Sequence, residues 1–180
     1  MLPDPLHPAV VHFPVVLAFL LPLFVGGSFW AMRRGASARR AWLLPVVLAT
    51  AVAGSAWLST ETGEAQGERV ERVVSERAIE THEEVAEAFL TSSVVVAVIA
   101  AAGLIGGLAG RLARLATVAG SLVLAGVVTK VGHTGGQLVY RYGAAGAYTN
   151  SASAGGTAAS SDVASGERGA LVRPGDDDDR

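Results

Sequence analysis

Cysteine is absent from the 180 residues, so the chain can form neither disulfides nor thiolate metal sites. Lysine is nearly absent: of 14 basic residues only Lys130 is lysine. With abundant alanine and glycine, that is the composition of a GC-rich bacterial genome. Charge is scarce as well. Charged residues make up 17% of the chain against about 25% in an average soluble domain, whereas 51% are hydrophobic. The charges are also bunched, which leaves long stretches with none. This is the profile of a small integral membrane protein. No P-loop, dinucleotide fingerprint, zinc-protease helix or nucleophile elbow occurs, and nothing suggests a nucleic-acid partner.

Four stretches are long and apolar enough to cross a bilayer, at about 20 residues per 30 Å of hydrocarbon. They are residues 13–32, 41–58, 88–109 and 112–131. Each is too long for a transmembrane strand and does not alternate, so each is expected to be a helix. Pro14, Pro22 and Pro45 lie in or near these runs and are tolerated where neighbouring helices absorb a kink. Gly103, Gly106, Gly107, Gly120 and Gly126 would let backbones approach closely. Trp30, Trp42 and Trp57 at span ends, with Tyr140, Tyr142 and Tyr148 after the last span, fit interfacial belts.

The expected fold is an all-α four-helix transmembrane bundle over residues 1–149, followed by a disordered tail over 150–180. The first connection, 33–40, holds four arginines and no acid, and the third, 110–114, holds Arg111 and Arg114. The second carries nine glutamates between Glu61 and Glu87. The positive-inside rule puts the first and third connections in the cytoplasm and both termini outside, in a bacterial inner or plasma membrane. No basic residue precedes the first span, so it reads as a retained span rather than a cleaved signal. The acidic connection reads as an amphipathic helix running into the third span. Its apolar stripe is Val70, Val73, Val74, Ala78, His82, Val85, Ala86 and Phe89, which turns His82 toward the bundle.

The four histidines, His7, His12, His82 and His133, all fall at the outer ends of their helices in this topology. Imidazole is the commonest metal ligand and an axial haem ligand. The spacing of five between His7 and His12 places them on different faces. With Pro8 at the first helical position, His7 is expected at the cap and His12 inside the bundle. His12 and His82 are then the first choice of axial ligands for a b-type haem, with His133 the competitor. Copper or zinc on the same histidines, a proton-linked or quinone-type site, or an interface role without a cofactor are the other readings. Lys130 could pair with Glu61, Glu64 or a haem propionate, or snorkel to the interface.

At "LHPAVVHFPVVL", "HEEVAEAF" and "GHTGGQLVYRYG" the sequence resembles DUF2231, a bacterial family of predicted membrane proteins. The shared pattern covers residues 5–143: an opening His-Pro and His-Phe-Pro, four spans, a mid-chain histidine and a closing Gly-Gly-x-Leu-Val-Tyr. The family has no assigned activity. Some relatives are joined to Rieske iron–sulfur domains, which implies a respiratory setting with redox partner proteins. This chain, lacking cysteine, carries no such cluster itself. Beyond the lipid bilayer, such redox partners and a second copy of the chain are the expected contacts.

Overall fold

The computed structural model describes residues 6–148. The expected disorder of 150–180 therefore lies outside the described residues. Five helices follow in order: α1 (His7–Val10), α2 (His12–Arg33), α3 (Ala38–Val70), α4 (Glu76–Ala102) and α5 (Gly107–Tyr140). α1 and α2 form one rod, because Val11 between them keeps a helical backbone with φ −60° and ψ −21°. The long helices supply four candidate membrane spans. α3 has 33 residues and α5 has 34, about 50 Å each, so both outrun a hydrocarbon core of about 30 Å.

Each helix packs on its neighbours in the cyclic order α2, α3, α4, α5 and back to α2, an up-down-up-down bundle. The buried positions of α2 are Pro14, Ala18, Leu21, Val25 and Ser28. In α4 they are Ile79, Phe89, Ser93, Val96 and Ala100. Facing them, α3 buries Trp42, Pro45, Ala49, Val52, Ala56 and Ser59, and α5 buries Arg114, Thr117, Ser121, Leu124 and Val128. Large apolar side chains such as Phe13, Leu23, Val98 and Leu122 stay on the outside. In water that would be an aggregation hazard. In lipid, tails are as apolar as leucine, so burial selects for close packing instead. Small and polar residues accordingly fill the bundle axis. Ser93, Thr117 and Ser121 are fully buried, and each hydroxyl donates to a carbonyl three or four residues back in its own helix.

The connections differ from the sequence expectation in three places. The third span stops at Ala102 rather than 109. Gly103 to Gly106 make the turn, and Gly107 takes φ +74°, a left-handed backbone that glycine adopts without a Cβ penalty. Arg111 and Arg114 consequently belong to α5, not to a loop. The acidic connection is not one helix. α3 runs on to Val70, the chain turns over 71–75, and α4 starts at Glu76. Val74 and Ile79 are buried there against Ala144, making a small second core beyond the spans. Finally, the helix of the fourth span does not stop near 131. α5 runs through His133, Gly135 and Gly136 to Tyr140.

The two ends of the bundle carry opposite charge. At one end lie Arg33, Arg34, Arg39, Arg40, Arg111 and Arg114. At the other lie the glutamates from Glu61 to Glu87 and all four histidines. Trp30 and Trp57 are exposed at span ends, as a belt requires, but Trp42 is not: its side chain is fully buried. Its indole N–H donates to Ala100 O at 2.9 Å and its ring meets Phe29 edge-on at 5.6 Å. A buried indole needs an acceptor, and the frayed carbonyls at the end of α4 supply one.

Candidate functional site

His7 opens α1 and is half-buried against α3. Its Nδ1 lies 2.9 Å from the Ser59 carbonyl oxygen and 3.3 Å from Thr62 Oγ1. A carbonyl only accepts, so Nδ1 carries the proton and donates. The partners thereby assign the tautomer and leave Nε2 with its lone pair. His82 sits two turns into α4 and is half-buried against α5. Its Nδ1 lies 2.9 Å from Thr134 Oγ1. Thr134 gives its own hydroxyl proton to Val131 O at 3.0 Å, so toward His82 it accepts. His82 is thus in the same tautomer, again with Nε2 unprotonated.

A glycine lies beside each ring. A Cβ on Gly63 would come within 3.1 Å of His7 Cε1, and one on Gly135 within 3.2 Å of His82 Cε1. Both rings keep an Nε2 lone pair, and both lie at the same end of the bundle. Beside Thr134 opens a cleft of about 170 Å³ lined by Ser75, Arg77, Ala78, Thr81, Thr134, Gln137 and Tyr142.

His12 and His133 stand apart from this pair. His12 is exposed, five residues after His7 and about 140° around the helix. The expected roles of His7 and His12 are exchanged, because the helix begins at His7 itself rather than after it. Once His7 faces α3, His12 must face outward. His133 is also exposed, its Nε2 accepting from the Gln137 side-chain amide at 3.1 Å. It directly precedes Thr134 and so points away from His82. Lys130 is exposed as well. Among the described residues, no three His, Asp or Glu side chains gather to hold a metal ion.

A model built from one protein family matches residues 3–147, spanning all five helices. The chain belongs to DUF2231, a family of predicted membrane proteins. Neither a curated protein nor a solved structure matches it. As a DUF2231 member it is an integral membrane protein, and the geometry of its histidine end is the lead to its chemistry. The sequence reading of this DUF2231 chain found all four histidines but missed Ser59, Thr62, Gly63, Thr134 and Gly135, which position two of them. A signal existed: the dipeptide Thr-Gly occurs at 62–63 and again at 134–135.

Proposed function

We propose that this DUF2231 chain is a membrane-embedded redox module that holds a b-type haem between His7 and His82. The observation that carries the reading is the tautomer. Each imidazole donates through Nδ1 to an oxygen acceptor and keeps Nε2 for a ligand bond. Histidines that bind metal are oriented in this way, with the far nitrogen fixed by a hydrogen bond. Two nitrogens suit a haem iron, which takes its other four ligands from the porphyrin. Copper or zinc would need three or four protein ligands, and the described residues gather no such set. When bound, the haem would supply one-electron transfer.

The chain's own residues would do the rest. Ser59 and Thr134 fix ring orientation, and Gly63 and Gly135 leave the rings room. In this reading the partner of His82 is His7, not His12 or His133.

An absorbance spectrum of the detergent-purified protein from a haem-replete host tests this. The expected result is a Soret band with iron and chain in equal amounts. His7→Ala and His82→Ala should each sharply reduce it, and His12→Ala and His133→Ala should keep it. A chain that stays colourless even after added haemin would sink the reading. Stoichiometric copper or zinc without iron would replace it with a metal-binding one.

A further inference from the structure

The two histidine sites are built alike. His7 bonds across to α3 and His82 bonds across to α5, and each ring has a threonine hydroxyl within reach, Thr62 at 3.3 Å and Thr134 at 2.9 Å. Each sits beside a Thr-Gly pair one helix further on, Thr62-Gly63 and Thr134-Gly135. Both threonines donate their hydroxyl proton to their own helix: Thr62 to Leu58 O at 2.9 Å, with Ser59 O at 3.1 Å, and Thr134 to Val131 O at 3.0 Å.

The likeness extends down the bundle. His7 and His82 stand 75 positions apart. The same shift carries every buried residue of α2, from Pro14 to Ser28, onto a buried residue between Phe89 and Gly103. A shift of 72 carries Thr62-Gly63 onto Thr134-Gly135. It also carries the buried residues of α3 from Trp42 to Ala56 onto those of α5 from Arg114 to Val128. The turns 34–37 and 103–106 are equal in length, so the difference between the shifts falls at the helix ends: α2 runs five residues past Ser28, whereas Gly103 already lies in the turn. Alternating steps of four and three recur every seven residues, so agreement in burial alone would mean little. Here one register per helix pair aligns burial, histidine and Thr-Gly together.

The packing agrees. Rotating the bundle by half a turn about its long axis carries α2 onto α4 and α3 onto α5, and it preserves the cyclic order of contacts. Both halves run in the same direction, as in membrane proteins built from parallel repeats.

We infer that the chain is a tandem duplication of one helix–turn–helix unit, and that its site is two equivalent half-sites, His7–Thr62–Gly63 and His82–Thr134–Gly135, meeting at the pseudo-two-fold axis to offer one Nε2 each to a single shared ligand. This deepens the haem reading and rests on it for the ligand's identity: the iron would have two like axial imidazoles. Symmetry is not complete, since the nearer acceptor is the Ser59 carbonyl in one half and the Thr134 hydroxyl in the other.

The test uses the full chain labelled with ¹⁵N at histidine, in nanodiscs, and it needs no ligand. Ring nitrogen spectra, assigned by single His→Gln variants, should show both His7 and His82 as the Nδ1–H tautomer. His7→Gln should shift the His82 ring signals and His82→Gln those of His7. His12→Gln and His133→Gln should move neither. Thr134→Val should convert His82 to a tautomer mixture, and Thr134→Ser should restore the single form, which a purely structural role would not predict. Different tautomers at His7 and His82, or no mutual shift, would overturn the duplication of the site, with or without haem. A second arm adds haemin: His7→Ala and His82→Ala should weaken binding by the same factor, within about threefold. A tenfold difference would overturn equivalence. Absence of binding alongside the expected ring spectra would remove haem and keep the paired half-sites.

Discussion

Arg114 places a guanidinium where the bundle has almost no water, with 9% of its surface exposed. Every glutamate among the described residues lies at the opposite end, so none of the described carboxylates is within reach. Its Nε instead donates to Gly103 O at 2.7 Å, and the guanidinium lies 5.8 Å from the centre of the Trp42 ring. Trp42 in turn donates to Ala100 O. Two side chains thus satisfy carbonyls at the frayed end of α4, and Gly103 is the position that lets them in. A Cβ there would run into the Trp42 indole nitrogen. Gly103→Ala should therefore cost about 1–3 kcal/mol through overpacking and lower the thermal midpoint in detergent. Gly126→Ala meets nothing within 4 Å and should be neutral or stabilising by up to about 1 kcal/mol. Equal midpoints for the two variants would refute the lock. Residue-scale detail of this kind was the least legible in the sequence. Trp42 reads as a belt residue because it sits at a span end, and only its neighbours decide that it is core. His12 reads as inward because helix phase depends on where the helix starts, which a proline fixes to within a residue or so. An error of that size turns a side chain by about 100°.

At the scale of elements, length carried the reading further than periodicity did. The spans are apolar on all sides, so no stripe marks which face is buried, but their number and approximate limits follow from bilayer thickness alone. Where a span also borders water, periodicity returns. The stripe from Val70 to Phe89 predicts that His82 turns inward, and it does. The stripe could not show the break at 71–75, since Val74 and Ile79 keep the same face on both sides of it. These two residues join Ala144 in the small core outside the spans, and Tyr148 donates to Gln66 at 2.8 Å beside it. That cap holds the far ends of α3, α4 and α5 around the histidine pair. Ile79→Ala should loosen it by about 2 kcal/mol. Amide exchange should then quicken in 66–82 and 138–148, with the spans unchanged. Uniform quickening along the chain would mean instead that Ile79 supports the whole bundle.

The whole molecule is organised by two asymmetries, one of charge and one concealed by it. The halves of the duplication have diverged in side chain while keeping their burial pattern: Trp42 answers to Arg114 and Pro14 to Phe89. Identity between the halves is confined to few positions, which is why a linear reading passes over the repeat. Only packing reveals that these positions are equivalent. Charge, by contrast, is legible at once. Six arginines without an acid at one end and nine glutamates at the other give the bundle a polarity along its axis. Arginine near a span end resists translocation, whereas glutamate contributes little to orientation. The arginine end should accordingly face the cytoplasm and the histidine site the outside. The absence of cysteine makes this directly testable. Ser37 and Ser75 are exposed, cap the first residues of α3 and α4 without side-chain bonds, and lie at opposite ends. In intact cells a membrane-impermeant maleimide should label Ser75→Cys at once and Ser37→Cys only after permeabilisation. The reverse pattern would turn the molecule over and put the paired histidines on the cytoplasmic side, where any electron or proton they handle would be exchanged with cytoplasmic partners.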